Sequence, residues 1–412
     1  MQELSSQESA WVGMSRIESV ILVLTARCNL SCSYCYQRAR KPQRMAWNTL
    51  RASLDWALEA AGSDLDVVFL GGEPLLEFPL MRRAVEHAEK KRGANRRVRY
   101  FVSTNGILLR DSVARFFEEH RFDTQLSFDG IAEAQNLRAK GTFSVLDRLL
   151  DRLRARHPRL FLEDLTISIT LIPPAIPFLA DSIRYLLDKD CRRIAIAPPI
   201  TSHPAWNDGC VEELDRQFSR LRDISLDHYR RTNQIPVLLF RGEKARTRRR
   251  VRHGSMCGVM RGQTPAVDVD GQVYGCALLA GSFQKFNSPL LHRLHDVMSI
   301  GVLGDPRFRR QFEQYLKAAR SDEILNRKED KYSSYGRCGD CPYFDDCSVC
   351  PVSIGHIPGN KDPARVPDFA CAFGRTAVKY RESFVRKARR AADTDLGLII
   401  SQFQELVRDS RA

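Results

Sequence analysis

Three cysteines near the start of the chain stand close enough in sequence to bind one metal centre. Cys28, Cys32 and Cys35 are separated by three and then two residues in the segment ARCNLSCSYCYQ. Thiolates bind soft metals, and a closed iron–sulfur cluster takes four of them, so a cluster on three thiolates would keep one iron open to an exogenous chelating ligand. A structural zinc ion with a distant fourth ligand, or a loop of reduced thiols, is the alternative that the spacing leaves open.

A second group of cysteines occupies the C-terminal part of the chain. Four of them lie in CGDCPYFDDCSVC, with two, five and two residues between them. Paired CxxC sequences suit tetrahedral zinc as well as iron–sulfur clusters, so this segment alone leaves both metals open. The seven cysteines of the group are Cys257, Cys276, Cys338, Cys341, Cys347, Cys350 and Cys371.

The elements that must position the first cysteines alternate between strands and helices. From residue 18 to about residue 200, β-branched apolar runs alternate with amphipathic stretches, which predicts six parallel βα units in an α/β fold. Six units are too few for an eight-stranded barrel, so the pattern fits a partial, TIM-like (β/α)6 barrel or an open doubly wound sheet. The predicted strands are Ser19–Leu24, Asp66–Leu70, Val98–Ser103, Thr124–Ser127, Leu165–Leu171 and Arg193–Ala197, and two predicted helices are Trp47–Ala61 and Thr142–Arg156.

Polar or glycine-containing segments follow the first four predicted strands. The cysteine loop follows the first strand, GGEP (71–74) the second, TNG (104–106) the third and FDG (128–130) the fourth. Parallel strands place their carboxyl ends at one edge of a sheet, so we expect these segments to meet there.

Together these segments resemble the radical S-adenosylmethionine (SAM) superfamily. The superfamily signature is the same C-x3-C-x-aromatic-C, here with Tyr34 at the aromatic position, and VFLGGEPLL resembles its second-strand motif. The resemblance implies a SAM-binding 4Fe-4S cluster on the three cysteines and contacts to SAM from the turns, where glycines permit close backbone approach. For Ser127 and Asp129, the alternative is a polar turn residue that ends a strand. The candidate SAM contacts are Tyr34, Gly71, Gly72, Glu73, Pro74, Asn105, Ser127 and Asp129.

The order of the C-terminal cysteines resembles the SPASM domain of radical SAM peptide-modifying enzymes. Cys347 and Cys350 are two residues apart, where that family commonly has three. The resemblance implies two auxiliary iron–sulfur clusters. Its outer cluster would be held by Cys338, Cys341, Cys347 and Cys371, and its inner cluster by Cys257, Cys276 and Cys350.

The inner set has one cysteine fewer than a closed cluster needs. No cysteine lies between residues 258 and 275, so we expect an open iron or a non-cysteine ligand. Cys210 competes for the fourth position, although a lone cysteine in a loop is more often a small packing residue. Cys191, beside an apolar strand, is expected in the core.

The sequence divides into five predicted parts. A loop-rich, cysteine-rich domain with a hairpin at Asp270-Gly271 follows a connector that contains a helix at Glu212–Asn233, and a helix or helix pair from Gly374 to Arg408 ends the chain. The parts are an N-terminal extension (1–17), the partial barrel (18–200), a helical and basic connector (201–256), the auxiliary-cluster domain (257–371) and a C-terminal helical segment (372–412).

Composition limits the compartment and the partners. The 412 residues include twelve cysteines but no apolar signal segment or membrane-length apolar run, so we expect a cytoplasmic protein whose cysteines ligate metal. The 64 Lys and Arg residues exceed the 50 Asp and Glu residues by 14. The basic cluster Lys244–His253 is either an exposed face or a site for an acidic partner, and nucleic acid is not the expected partner.

The resemblance implies a peptide or protein substrate and a low-potential electron donor such as flavodoxin or ferredoxin. The expected reaction is C–C, C–O or C–S bond formation, oxidation or epimerisation, and no catalytic acid or base can be named. Ala277 stands where sulfatase-maturing relatives carry an aspartate, which argues against that activity. About seventeen residues precede the first strand, too few for a leader-binding domain, so a leader peptide would bind to the basic surface or to a separate protein.

Two further readings remain open at this point. One is a radical SAM dehydrogenase or mutase that acts on a small molecule. The other is a non-catalytic, zinc-stapled nucleic-acid binder, which the net charge of +14 favours but which leaves the GGEP turn and the ordered βα repeats unexplained.

Overall fold

The computed structural model describes residues 17–37, 42–93, 96–241, 262–283, 286 and 288–409, the last of these (390–409) as backbone. Cys257 and the basic cluster Lys244–His253 lie outside the described residues. The division into five parts therefore stays a prediction.

Six parallel strands form the larger part of the sheet. Their order follows the sequence without reversal, so the structure matches the partial barrel and not the doubly wound alternative, whose strand order reverses. The predicted α/β partial barrel is confirmed. The strands are β1 (Ile17–Thr25), β2 (Ala61–Gly71), β3 (Arg97–Thr104), β4 (Asp123–Ser127), β5 (Leu165–Thr170) and β6 (Ile194–Ala197).

Helices connect these strands and bury their apolar faces against the sheet. In α1, for example, Leu50, Leu54 and Leu58 recur at helical spacing and are buried, as the period of the sequence predicts. The connector helix begins at Asp208, four residues before the predicted start, because Asn207 caps it by accepting from the Cys210 N–H. The helices are α1 (Trp47–Ala60), α2 (Phe78–Lys91), α3 (Asp111–Glu119), α4 (Ala132–Arg138), α5 (Phe143–Arg156), α6 (Leu179–Asp188) and α7 (Asp208–Thr232).

Three strands from the cysteine-rich part extend the same sheet. Strand β7 (Ala266–Val267) pairs parallel with β1, and β8 (Gln272–Tyr274) and β9 (Ser299–Val302) follow in antiparallel order. The hairpin turn differs from the predicted two-residue turn. The Gly271 N–H donates to the Asp268 carbonyl, and the Asp268 N–H donates to the Gln272 carbonyl, which makes a three-residue loop. Gly271, at φ +86°, takes the left-handed position that ends such a loop.

The C-terminal part contains more helix than its loop-rich sequence predicts. Two amphipathic helices, α8 (Pro289–Met298) and α9 (Phe308–Ser321), separate the hairpin from the CxxC segment. After them come β10 (Tyr332–Ser333), β11 (Gly336–Arg337) and the short α10 (Val352–Gly355). The chain then continues as a single helix, α11 (Asp368–Asp409), rather than a helix pair. Within the described residues, every helix is too short or too polar to cross a membrane.

Candidate active site

The loop after β1 brings the first three cysteines together. All three thiols are half-buried, and the Cys35 N–H donates to the Cys32 carbonyl at 3.2 Å, which closes a turn between them. Burial raises the pKa of the Cys32 thiol, and the neighbouring Cys35 and Cys28 thiols raise it further. The three sulfur atoms thus lie within electrostatic range of one another, and their role as ligands of an iron–sulfur cluster stays a prediction. Among the described residues, no group of His, Cys, Asp or Glu is arranged around a single metal ion.

The GGEP turn lies directly against the start of this cysteine loop. The Gly72 N–H donates to the Thr25 carbonyl at 2.8 Å, and the Glu73 N–H donates to the Arg27 carbonyl at 2.8 Å. A Cβ atom on Gly72 would lie 2.2 Å from the Arg27 carbonyl oxygen, so only glycine permits this approach. The sequence suggests that the glycines admit a ligand. In the structure, the space that a Gly72 side chain would need is filled by the chain's own backbone.

Replacing Gly72 by Ala is therefore expected to displace the cysteine loop. The added methyl group would collide with backbone rather than with a flexible side chain, and overpacking typically costs about 1–3 kcal/mol. We expect lower iron retention and a lower denaturation midpoint, measured by iron analysis and by chemical denaturation. Gly209→Ala is the matched control, because its added Cβ would meet only the Asn207 side chain, at 3.3 Å. Equal iron retention in the two variants would contradict this role of Gly72.

Glu73 is fully buried and connects the second and third turns. One carboxylate oxygen accepts from the Leu75 N–H at 3.0 Å and the Thr104 hydroxyl at 2.7 Å, and the other accepts from the Asn105 N–H at 2.7 Å. Burial raises the pKa of the Glu73 carboxyl, while these three donors oppose the rise. Glu73 therefore holds the TNG turn beside the GGEP turn. Pro74 is also buried and begins a one-turn 3-10 helix.

Asn105 faces the cysteine loop. Its side-chain amide donates to the Asn29 side-chain oxygen at 2.8 Å and lies 3.8 Å from the Cys28 sulfur. Its side-chain oxygen accepts from the Ile107 N–H at 3.1 Å, which fixes the orientation of the amide. Asn105 is thus placed to donate to a thiolate at Cys28.

Asp129 forms a buried ion pair that sequence reasoning missed. Arg138 donates to both Asp129 oxygens, at 2.9 and 2.6 Å, and the two side chains are 6% and 4% exposed. Asp129 also accepts from the Thr170 N–H at 2.9 Å and the Tyr34 hydroxyl at 3.4 Å. The carboxylate therefore ties β4, β5 and the cysteine loop together. The sequence offers one signal for this pair: Asp129 follows a buried strand, and a buried carboxylate requires a cation as its partner.

Arg138 also acts on the cysteine loop. Its guanidinium lies 5.5 Å from the centre of the Tyr34 ring and opposes the rise in the pKa of the Cys32 thiol. Ser127 lies half-buried at the end of β4, opposite Ser168 of β5. Every residue predicted to contact SAM thus lies at the carboxyl edge of the sheet or in the loop after β1.

Four C-terminal cysteines from two separate segments lie together. Burial raises the pKa of the Cys347 thiol to about 11, and the neighbouring Cys371, Cys338 and Cys341 thiols add to the rise. Burial likewise raises the pKa of the Cys338 thiol to about 11, with contributions from Cys371 and Cys341. Gly374 of α11 leaves room for the Cys347 sulfur, which would lie 2.9 Å from an added Cβ. These are the four cysteines of the predicted outer cluster, and their role as its ligands stays a prediction.

The described residues hold only part of the predicted inner set. Cys276 follows β8, and Cys350 lies with Cys347 in the wall of a cavity of about 420 Å³. The segment after β6 and helix α11 complete the wall of this cavity. Cys210 lies at the start of α7, where its thiol donates to the Ala205 carbonyl at 3.4 Å. Cys191 is 3% exposed and lies in the core, as expected.

Comparison with known proteins gives a match over most of the barrel. Residues 22–175 match the radical SAM superfamily. A cysteine-type anaerobic sulfatase-maturating enzyme of Clostridium perfringens is 30% identical over 148 residues, which are 33% of this chain and 40% of that enzyme. The radical SAM cyclopropyl synthase TigE of Paramaledivibacter caminithermalis is 24% identical over 32% of this chain and 31% of that protein. The chain thus spans less than half the length of these two relatives.

A solved structure is similar over nearly the whole chain. Native anSMEcpe with bound AdoMet and the Kp18Cys peptide superposes with a TM-score of 0.68 and 18% identity, and the match covers 90% of this chain and 99% of that chain. This likeness extends the shared fold beyond the barrel into the cysteine-rich part.

Proposed function

For this chain, a radical SAM protein with a SPASM-like C-terminal domain, we propose a role in modifying a peptide or protein substrate. SAM and a 4Fe-4S cluster are its cofactors, and together they supply a 5′-deoxyadenosyl radical that removes a hydrogen atom from carbon. The protein's task is then to hold one carbon close and to exclude other reactions.

The cysteine loop and the three turns are assigned to this task. Cys28, Cys32 and Cys35 hold the cluster and leave one iron for SAM. Tyr34, Asn105 and Ser127 are assigned as contacts to SAM. Gly71, Gly72, Glu73, Pro74 and Asp129 fix the backbone that surrounds SAM, because their described contacts are with the protein itself.

The cavity beside β6 is the observation that supports a substrate site next to the predicted SAM contacts. Its volume of about 420 Å³ is within the range of ligand pockets. Pro198, Pro199 and Ile200 form one wall at the edge of the sheet where the predicted SAM contacts lie. The next residue, Thr201, donates its hydroxyl to the Tyr34 carbonyl at 3.1 Å, so one hydrogen bond joins the segment after this wall to the cysteine loop. We propose a peptide rather than a small molecule as the occupant because a peptide is bound to anSMEcpe, a protein of the same fold.

The C-terminal cysteines are assigned to two auxiliary clusters. Cys338, Cys341, Cys347 and Cys371 hold the outer cluster, and Cys257, Cys276 and Cys350 hold the inner cluster with one iron not bound by cysteine. The two sets of cysteines meet at the cavity beside β6, because Cys347 of the outer set and Cys350 of the inner set both line it. A peptide in that cavity would lie beside one cysteine of each set.

Exchange of single cysteines tests the inner set. Cys276→Ala is expected to remove about four irons per chain, since a 4Fe-4S cluster would be lost, whereas Cys210→Ala keeps the wild-type iron content and spectrum. The reason is that the Cys210 thiol is engaged by the Ala205 carbonyl. An added small thiol should also perturb the spectrum of the wild-type cluster, because the open iron accepts soft donors. Loss of iron from Cys210→Ala would identify Cys210 as the missing ligand.

Sulfatase maturation is a weaker alternative. Ala277, the residue after Cys276, is buried and has no ionisable group that could accept a proton. A dehydrogenase or mutase acting on a small molecule uses the same cofactors and remains the second candidate. The zinc-stapled nucleic-acid binder is set aside, because residues 22–175 match the radical SAM superfamily.

Two partners belong to the proposal. A low-potential carrier such as flavodoxin or ferredoxin supplies the electron for SAM cleavage. A leader peptide, where the substrate has one, would bind to the basic surface or to a separate protein.

Protease treatment of substrate extracts separates the two candidate substrate classes. The reconstituted enzyme is incubated anaerobically with SAM, a low-potential reductant and a low-molecular-mass extract of the producing cells. We expect the extract to increase the formation of 5′-deoxyadenosine, and we expect treatment of the extract with an immobilised protease, removed before the assay, to abolish that increase. An increase that survives the protease would instead favour a small-molecule substrate. The Cys28→Ala, Cys32→Ala, Cys35→Ala variant is the blank.

A further inference from the structure

Lys328 lies beside the four cysteines of the outer set. Its ammonium donates to the Cys347 carbonyl at 2.9 Å and also to the Phe344 carbonyl, and it lies 4.3 Å from the centre of the Phe344 ring. Two carbonyl oxygens and an aromatic face are all favourable partners for a cation. The ammonium is therefore fixed to the loop that carries Cys347.

The charge of Lys328 acts on the outer thiols. It is the largest influence that lowers the pKa of the Cys347 thiol, and it also lowers the pKa of the Cys338 thiol, in both cases against the effect of burial. A second donor serves the same set, since the buried Ser333 hydroxyl donates to the Cys371 sulfur at 3.1 Å and is itself held by the Tyr335 N–H at 3.2 Å. Both groups favour negative charge on these sulfur atoms.

Other charged groups near the outer thiols do not outweigh the preference for negative charge on these sulfur atoms. Lys331 and Arg375 also favour the thiolates of Cys338 and Cys371, respectively. Among the carboxylates, Asp368 opposes the Cys371 thiolate, while Asp346 is paired with Arg381 at 3.0 Å. Cations therefore prevail around this set of cysteines.

We infer that Lys328 is an electrostatic positioning residue that raises the reduction potential of the outer auxiliary cluster. One-electron reduction adds a negative charge to a cluster, and a fixed cation nearby stabilises the reduced form. The inference rests on the ligand assignment made under the proposed function.

The test isolates the outer cluster. The full chain with Cys28, Cys32, Cys35 and Cys276 all replaced by Ala should retain only this cluster. Its potential is then measured by redox titration followed by electron paramagnetic resonance, without substrate or SAM. Lys328→Met removes the charge at similar length, Lys328→Gln keeps a donor for the carbonyl oxygens, and Lys328→Arg keeps the charge. Lys379→Met is the matched control, because Lys379 lies on the same helix as Cys371 but pairs with Asp215 at 2.6 Å.

We expect Lys328→Met and Lys328→Gln to shift the potential in the negative direction. The expected change is about tenfold in the ratio of reduced to oxidised cluster at a fixed potential, or about 59 mV for a one-electron couple. Lys328→Arg and Lys379→Met should stay close to the parent chain. A retained cluster with unchanged potential in either neutral variant would overturn the inference. Loss of the cluster from both neutral variants, with retention in Lys328→Arg, would also overturn it, because Lys328 would then serve cluster assembly. Neither result bears on the peptide substrate, which the protease experiment tests separately.

Discussion

Replacing Cys28, Cys32 and Cys35 together by Ala is expected to abolish SAM cleavage and to remove about four irons per chain, the content of one 4Fe-4S cluster. The C-terminal clusters should remain, because their assigned cysteines lie in other segments of the chain and the outer four lie together without the first three. Anaerobic assays for 5′-deoxyadenosine and analysis of iron and sulfide measure both effects.

The matched control for this variant is Cys210→Ala. Cys210 is also half-buried, but its thiol is bound to a backbone carbonyl and is not assigned to a cluster. The control should keep both the wild-type iron content and SAM cleavage. If the triple variant still formed 5′-deoxyadenosine, the first three cysteines would not hold the SAM-binding cluster.

Arg138→Met is expected to destabilise the barrel strongly. The substitution leaves the Asp129 carboxylate buried without its cation, and breaking a buried pair in this way costs about 3–5 kcal/mol. The cysteine loop should loosen as well, because Asp129 accepts from the Tyr34 hydroxyl. Chemical denaturation measures the loss of stability, and iron retention measures the effect on the loop.

An exposed ion pair on the same sheet provides the comparison. Arg97 and Asp64 lie on neighbouring strands at 3.0 Å, but their side chains are 68% and 50% exposed. Arg97→Met should cost at most about 1 kcal/mol, because water and salt screen such pairs. A loss in Arg138→Met no larger than the loss in Arg97→Met would show that the buried pair does not stabilise the site.

The sequence predicts the barrel well because its signals are local. β-branched apolar runs and helical spacing fix five of the six strands and α1 to within two residues, whereas β2 begins at Ala61, five residues before its predicted start. The order of the strands needs no long-range information. The turns also follow from strand order. Once β1 to β4 are parallel and sequential, the segments after them must share one edge.

Side-chain roles at that edge depend on tertiary partners and could not be read from spacing. Glu73 looks like a ligand contact in sequence, yet its carboxylate is occupied by Thr104, Leu75 and Asn105. Arg138 has no motif around it, and its importance follows only from the burial of Asp129. The hydrogen-bond and ion-pair partners of these side chains depend on how the turns pack against one another in the folded chain.

The cysteine-rich part contains structure that the sequence does not predict. Cysteine spacing predicts a metal-binding domain, but it carries no signal for α8 and α9, which lie between the cysteines. The outer set brings Cys371 of α11 to the CxxC segment, a contact between segments that sequence order alone does not specify. The resemblance to the SPASM domain was the basis for grouping Cys371 with the CxxC cysteines.

The fate of the abstracted hydrogen atom most directly tests the proposal that the enzyme abstracts hydrogen from a peptide. Extract from producing cells grown on deuterated amino acids is offered to the reconstituted enzyme with unlabelled SAM, and the 5′-deoxyadenosine formed is analysed by mass spectrometry. Hydrogen abstraction from a peptide carbon predicts deuterium in 5′-deoxyadenosine, and predicts none after the extract has been treated with protease. If the 5′-deoxyadenosine were unlabelled and formed in equal amount with and without the peptide fraction, the enzyme would not abstract hydrogen from a peptide.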